Sequence, residues 1–478
     1  MAQKKKTTRT SKTAKQTAAA KGKAVKKTAK QAAAAKGKAV KKTAKQAAAT
    51  KGKAVKQTPG RPQTTPPAAA SPQPKPGGFA IFLQELSASS WLVTALAIIT
   101  GLLLGGLIVA LTTEAMYTAW ASSPIEAIKV GWQAAWSSYA ALFSGAIGSP
   151  KAMLQALFSG DGAALMVSLR PLLESLTKSV PYIFAGLSVA LGFRAGLFNI
   201  GAEGQLFIGA AAAVWVGFGV TGLPAYIHLP FALVAGALGG ALWGFIPGLL
   251  KAKTGGHEVI NTIMMNYIAF RLSDYLLRGP LQRPDSSNPI SPFILDTAKL
   301  PRLFESPIRF HLGFFVALGV AYLVWVLLFK TRWGFDLRTV GANPDAARYA
   351  GMNIVWVTIA AMSLAGGLAG LAGANEVLGV NYNLAAAFSS GYGFDSIALA
   401  LLGKSHPLGV VLAALLFGTL RNGAIQMQLF AGIPIDIISV MQAIILAFIA
   451  APAIIRTVYR LRQPSEADQS LRVRGWGG

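Results

Sequence analysis

Several polar side chains stand where an otherwise apolar chain has little reason to carry them. Glu258, Thr262 and Asn266 recur every fourth residue within an apolar run and so share one helix face, with Asn261 beside them. Carboxylate, hydroxyl and carboxamide groups at that spacing can bond to a neighbouring helix or to a polar solute moving along the face. Asn199 and Glu203 lie in a Gly-punctuated segment between two apolar runs, the pattern of a broken helix, and Glu376 and Asp395 bracket the stretch before a short apolar run. Polar groups are costly in lipid, so each must face a bundle interior or a water-filled path. Interhelical bonding and pathway lining both remain open for this set.

Other chemistries are excluded by what is absent. The chain has no cysteine, which removes disulfides, iron–sulfur clusters and Cys-ligated zinc. The four histidines (His228, His257, His311, His406) are far apart, and Asn261 stands where a zinc-protease pattern beginning at His257-Glu258 needs its second His. No Walker A pattern occurs, so any ATP must be hydrolysed by another chain and no metal or cofactor is expected on this one.

The elements that must position these residues are apolar helices. Hydrophobic residues make up 53% of the chain against 13% charged, with 51 glycines in 478 residues, a balance too apolar for an ordinary soluble protein. The predicted fold class is an all-α polytopic transmembrane bundle. Ten apolar runs are expected to cross or nearly cross a bilayer: Trp91–Leu111, Thr177–Leu191, Gln205–Val220, Leu229–Leu250, Glu258–Leu277, Gly313–Phe329, Ile354–Ala372, Phe394–Gly403, Leu408–Gln426 and Ile433–Ile455. The second, third and eighth are short enough to be broken or re-entrant. Gly236, Gly240 and Gly244 repeat every fourth residue, as do Gly101/Gly105 and Gly366/Gly370, which suits close helix packing in lipid.

Charge sets the expected domains and orientation. Residues 1–78 hold 21 of the 45 Lys/Arg and no acid, and KGKAVK begins at Lys21, Lys36 and Lys51. A Pro-rich linker follows from about Pro59 to Pro76. With almost no large apolar residues this tail is expected to be disordered, able to meet anionic lipid or nucleic acid through its charge. The first apolar run is too long for a signal peptide, so Ala119-Trp120-Ala121 does not read as a cleavage site. The permease-like body is expected over 79–456, with a C-terminal tail over 457–478. In the ten-span arrangement Arg194, Lys251/Lys253, Lys330/Arg332/Arg338/Arg348, Lys404 and Arg456/Arg460/Arg462 fall on the same side as the tail, which the positive-inside rule makes cytoplasmic, with both termini there.

One cytoplasmic loop carries its own helix. Asn343 can cap it, Pro344 suits its first position, Asp345 favours the positive dipole end, and Gly351 can supply the left-handed stop. The expected helix, Pro344–Ala350, is marginal alone and reads as a docking element. Ala346, Ala347 and Ala350 would give it a smooth face, with Arg348 and Tyr349 as anchors.

The loop TRWGFDLRTVGANPDAARYAGMN resembles the cytoplasmic coupling loop of ABC importer permeases of the branched-chain amino acid/ribose type. FRAGLFNIGAEGQ (Phe193–Gln205), GHEVINTIMMNYIA (Gly256–Ala269) and GYGFDSIALALLGKSHPLG (Gly391–Gly409) are similar to the other blocks of its nucleoside/simple-sugar branch. The resemblance spans roughly Ser179 to Ile455 and does not include the lysine-rich tail. It implies a ten-helix inner-membrane permease for nucleosides, working with ABC ATPase subunits, a second permease subunit and an extracytoplasmic solute-binding lipoprotein, with Asn343–Gly351 coupled to the ATPase. Import of sugars or amino acids, or a secondary transporter of small polar solutes, remains the alternative. A membrane enzyme would need a nucleophile–base pair, metal cluster or phosphate loop, and none is found.

Overall fold

The computed structural model describes residues 90–461, which form an all-α membrane bundle. The lysine-rich tail and all but the first residues of the C-terminal segment lie outside the described residues. Among those described, β-structure is limited to two isolated bridges, Ile290–Ala385 and Arg302–His311.

The helices run α1 (Ser90–Thr112), α2 (Glu114–Trp120), α3 (Pro124–Ile147), α4 (Pro150–Ser159), α5 (Gly162–Arg194), α6 (Ala202–Gly219), α7 (Ala225–Thr254) and α8 (Glu258–Leu277). After a long loop come α9 (Gly313–Lys330), α10 (Arg332–Ala342), α11 (Pro344–Tyr349), α12 (Ile354–Glu376), α13 (Tyr392–Leu402), α14 (Pro407–Ala431), α15 (Asp436–Ala450) and α16 (Pro452–Val458). A π-turn, Val377–Asn381, extends α12.

Seven of these helices are long and apolar enough to cross a membrane: α1, α5, α6, α7, α9, α12 with its π-turn, and α14. The pair α15–α16, bent by 87°, would make eight, against the ten expected. The difference has two sources. The run expected at Phe394–Gly403 is an 11-residue helix, α13, roughly 16 Å long and so shorter than a hydrocarbon core. The run at Glu258–Leu277 is helical over the expected residues, yet Glu258, Asn261, Asn266, Arg271 and Asp274 dilute its hydropathy. The expected span Thr177–Leu191 is the buried half of a 33-residue helix, α5. Hydropathy does not reveal α3 at all. Its inward face is small (Ala127, Gly131, Ala135, Ser138), while Trp132, Trp136 and Phe143 point outward among charged and polar residues.

Close approach of α7 and α12 builds the centre. A Cβ on Gly240 would meet the Gly366 carbonyl oxygen, and one on Gly366 the Gly240 carbonyl oxygen. Only hydrogen fits in that seam, so dispersion between backbones replaces side-chain packing. Around it α5, α6, α13 and α14 enclose Tyr182, Phe184, Leu187, Leu191 and Leu206, all fully buried.

The helix ends gather at two poles. At one, the loop between α8 and α9 is tied down by backbone bonds from Leu295 to Gly217, Leu300 to Leu378 and Ser291 to Leu384, at 2.8–2.9 Å. The His228 ring adds a 2.7 Å bond to the Thr297 hydroxyl. At the other meet the start of α1, the ends of α5, α9 and α13, and the start of α14.

Candidate functional site

Between α5 and α6 the chain leaves helical geometry over residues 195–201, with Gly196 at φ 71°. A break at this depth exposes backbone groups that lipid cannot satisfy. Two asparagines satisfy them. The Asn266 side-chain amide donates to the Ile200 carbonyl at 2.9 Å, and its oxygen accepts from the Gly204 N–H at 2.8 Å. Asn199 accepts from the Gly201 N–H at 3.1 Å and exchanges two bonds with Gln205, at 2.9 and 3.2 Å. Both asparagines are buried. Thr262, below Asn266, returns its hydroxyl to the carbonyls of Glu258 and Val259.

A second polar group forms where α13 begins. Glu203, in the first turn of α6, accepts from the Gly393 N–H at 2.6 Å. Asp395 is half-buried and accepts from the Tyr182 hydroxyl of α5 at 3.0 Å. Tyr392 meets Tyr182 edge-on at 4.9 Å, and Arg421 of α14 donates to the Ser390 carbonyl at 3.4 Å. Lys178, one turn before Tyr182, is half-buried in the combined field of Arg309, Glu376, Glu174 and Arg421. Glu376 bonds Asn381 at 3.5 Å. Toward the loop pole, Glu174 pairs with Arg309 at 2.7 Å and also accepts its backbone N–H at 3.1 Å. That carboxylate holds the Arg309 guanidinium above even its usual high value. Acceptors (Asp395, Glu376), cations (Lys178, Arg421) and phenols thus face one region from four helices. Such a set can recognise a neutral molecule that carries both donors and acceptors. No group of three His, Cys, Asp or Glu suited to a metal occurs among the described residues.

At the opposite pole α11 is a separate, protruding element. The Asn343 side chain accepts from the N–H groups of Asp345 and Ala346, both at 3.1 Å. Met352 N–H returns to the Ala347 carbonyl and Gly351, at φ 83°, closes the helix. Tyr349 is 97% exposed, and Asp345 faces Arg348 at 3.8 Å in full solvent. The preceding helix, α10, touches the break directly. A Cβ on Gly341 would overlap the Arg194 carbonyl oxygen, and one on Gly196 would lie 2.9 Å from the Gly341 Cα. The loop bearing α11 therefore rests backbone-to-backbone on the non-helical segment that Asn199 and Asn266 hold.

Residues 172–458 match the family described as "Branched-chain amino acid transport system / permease component". The chain belongs to this family. The permease is 46% identical over 291 residues to the guanosine ABC transporter permease protein NupP of Bacillus subtilis, covering 60% of this chain and 82% of that protein. It is 40% identical over 287 residues to the glucose ABC transporter permease protein TsgB13 of Haloferax volcanii, covering 58% and 75%. With the nucleoside ABC transporter permease protein NupB of Lactococcus lactis the identity is 34% over 316 residues, covering 64% and 86%. No solved structure matches the chain.

The expected site residues of the permease separate into three places. Asn199, Thr262 and Asn266 meet at the break, whereas Glu203 and Asp395 converge on the start of α13, with Glu376 near Lys178. Asn261 is half-buried, away from both, near Gly256. In the docking loop Ala347 turns inward and is fully buried, while Asn343, Pro344, Asp345, Ala346, Arg348, Tyr349 and Gly351 are exposed. The helix ends at Tyr349, with Ala350 as its cap. Glu174, expected in a loop, is inside α5. Sequence reasoning missed Lys178 and Arg421, although a cation inside an apolar run is itself the signal.

Proposed function

We propose that this permease is the membrane-spanning subunit of an ATP-driven importer for nucleosides, receiving solute from an extracytoplasmic binding protein. ATP is hydrolysed by separate ABC subunits docked on α11, and a second permease subunit, identical or related, completes the pathway. The observation that carries the reading is the mixed donor–acceptor cluster at the start of α13 in a chain 46% identical to a guanosine permease. A nucleoside offers base N–H groups to Asp395 and ring or ribose oxygens to Lys178 or Arg421. Ten passes follow when α8 is counted as a span, α13 with the extended segment before it as another, and α15–α16 as one. The pole bearing Arg194, Lys330, Arg332, Arg338 and Lys404 is then cytoplasmic.

Reconstitution with its ATPase, second permease and binding protein tests the function. ATP-dependent uptake of labelled guanosine, competed by other nucleosides but not by glucose, is the expected result; glucose competition at equal concentration would move the reading to sugars. Orientation is tested separately with Asp345→Cys, since the chain has no other cysteine. An impermeant thiol reagent should label it in inside-out vesicles and not in intact cells.

A further inference from the structure

At the basic pole a cavity of about 870 Å³ opens between α1, the end of α13 and the start of α14. Its floor is apolar: Ile98, Leu402, Leu408, Leu412 and Leu416. Its rim carries Arg194, Arg338, Lys404 and His406, and none of the residues lining it is acidic. The nearest carboxylate, Asp336, lies in the neighbouring groove, on the far side of Arg338.

The rim is built with some backbone cost. Lys404 and Ser405 both sit in the left-handed region, at φ 51° and 50°, where non-glycine residues are strained by about 1–3 kcal/mol each. Arg194 holds that turn by donating to the Ser405 carbonyl at 2.9 Å and the Lys404 carbonyl at 3.3 Å. Phe329 organises the remaining rim groups. Arg194 lies 5.5 Å and Arg338 5.3 Å from its ring centre, with the His406 ring at 5.4 Å. Burial and the adjacent Arg194 charge push the His406 imidazole below its usual value, as expected beside gathered cations.

We propose that this cavity binds one anionic phospholipid, with its phosphate on the Arg194–Arg338–Lys404 rim and an acyl chain on the leucine floor. The floor distinguishes a lipid from a free anion. Leu408 and Leu412 are 60% and 46% exposed, so the cavity opens sideways, where the spans meet bilayer hydrocarbon. A soluble phosphate has no use for that opening, whereas a lipid enters through it without leaving the membrane. The site adjoins α10, the helix that carries α11, so an occupant would brace the docking loop against α13 and α14. Only the leaflet supplying the lipid depends on the orientation proposed above; the binding itself does not.

The test uses the purified permease, delipidated in mild detergent, with bound lipid counted by native mass spectrometry. One phosphatidylglycerol should be retained at least about tenfold more tightly than phosphatidylcholine, each cation near a phosphate contributing about fivefold. Arg338→Gln/Lys404→Gln should abolish most of that preference. Leu412→Trp, which fills the floor and leaves every charge in place, should weaken phosphatidylglycerol severalfold. Equal retention of the two lipids, or no response to either variant, would overturn the proposal. So would displacement by millimolar inorganic phosphate, which would make the rim a soluble-anion site. Loss of the lipid when the ATPase assembles would make it a subunit contact instead. Lys404 is exposed, so Lys404→Gln alone carries the charge test if the double variant melts early.

Discussion

Asn266 and Asp395 look alike in sequence, each a polar residue within an apolar run, and the folded permease uses them differently. Asn266 is buried and spends both ends of its carboxamide on the backbone of the break, leaving nothing for a solute. Asp395 is half-buried and gives one oxygen to Tyr182, so acceptor capacity remains. The polar stripe of α8 is therefore architecture that permits a broken helix, while the start of α13 is where a passing molecule finds unspent groups. What separates them is which backbone groups lack partners nearby, a property of the tertiary arrangement.

The largest effect expected from this contrast is on Asn266→Leu. It leaves a buried carbonyl and a buried N–H without partners, at about 1–3 kcal/mol each, so a loss of about 4 kcal/mol is expected. Expression and melting temperature should fall together with uptake. A variant that melted like the parent yet failed to transport would return Asn266 to the pathway.

The next effect concerns the loop pole. Gly313 N–H donates to His311 Nδ1 at 3.1 Å, so this ring is an acceptor there and is held neutral. Burial, reinforced by Arg302 and only partly opposed by Glu174, pushes its pKa down to about 4. A neutral imidazole in the folded state means that the unfolded chain binds more protons between pH 4 and 6.5. Stability is therefore fully present above pH 6.5 and falls as the pH drops toward 4, by up to about 3 kcal/mol. The melting temperature should decline over that window and flatten in His311→Gln. An equal decline in both proteins would assign it to other groups.

Asp395→Asn should do the reverse of Asn266→Leu. The amide keeps the shape and still accepts from Tyr182, so melting should stay near the parent value. Uptake should fall about tenfold, the equivalent of losing one charged hydrogen bond to the solute. Unchanged uptake would move solute recognition away from α13.

Much of this was legible in the sequence for a physical reason. The cap–proline–glycine signals of α11 are local, and the described helix differs from expectation by one residue. The four-residue glycine spacing likewise announced the α7–α12 seam, because close approach has no other cheap solution. The misses share a different cause. α13 is too short to read as a span and α3 too polar, and both are stabilised by neighbours distant in sequence. The pairing of Glu174 with Arg309, 135 residues away, has no local signal at all.

The smallest effect sharpens the same distinction within one short helix. Ala347 and Tyr349 are two residues apart, the first fully buried and the second 97% exposed. Both belong to the docking element that the sequence outlines, yet only the outward residue can report on docking. A bulky residue at position 347 would displace α11 from the α10 and α12 helices it touches, confusing loss of fold with loss of contact. Tyr349→Ala removes an exposed ring with no listed hydrogen-bonding duty inside the chain, so melting should not change. An aromatic at the centre of an interface is a frequent hot spot, whereas one at the rim contributes little. Because α11 presents Tyr349 beside the solvent-exposed Asp345–Arg348 pair, a position between those extremes is expected. Association with the ATPase should weaken about threefold, with a matching fall in coupled uptake. Full association and full uptake in Tyr349→Ala would shift the docking surface to the other exposed residues of α11, beginning with Ala346 and Arg348.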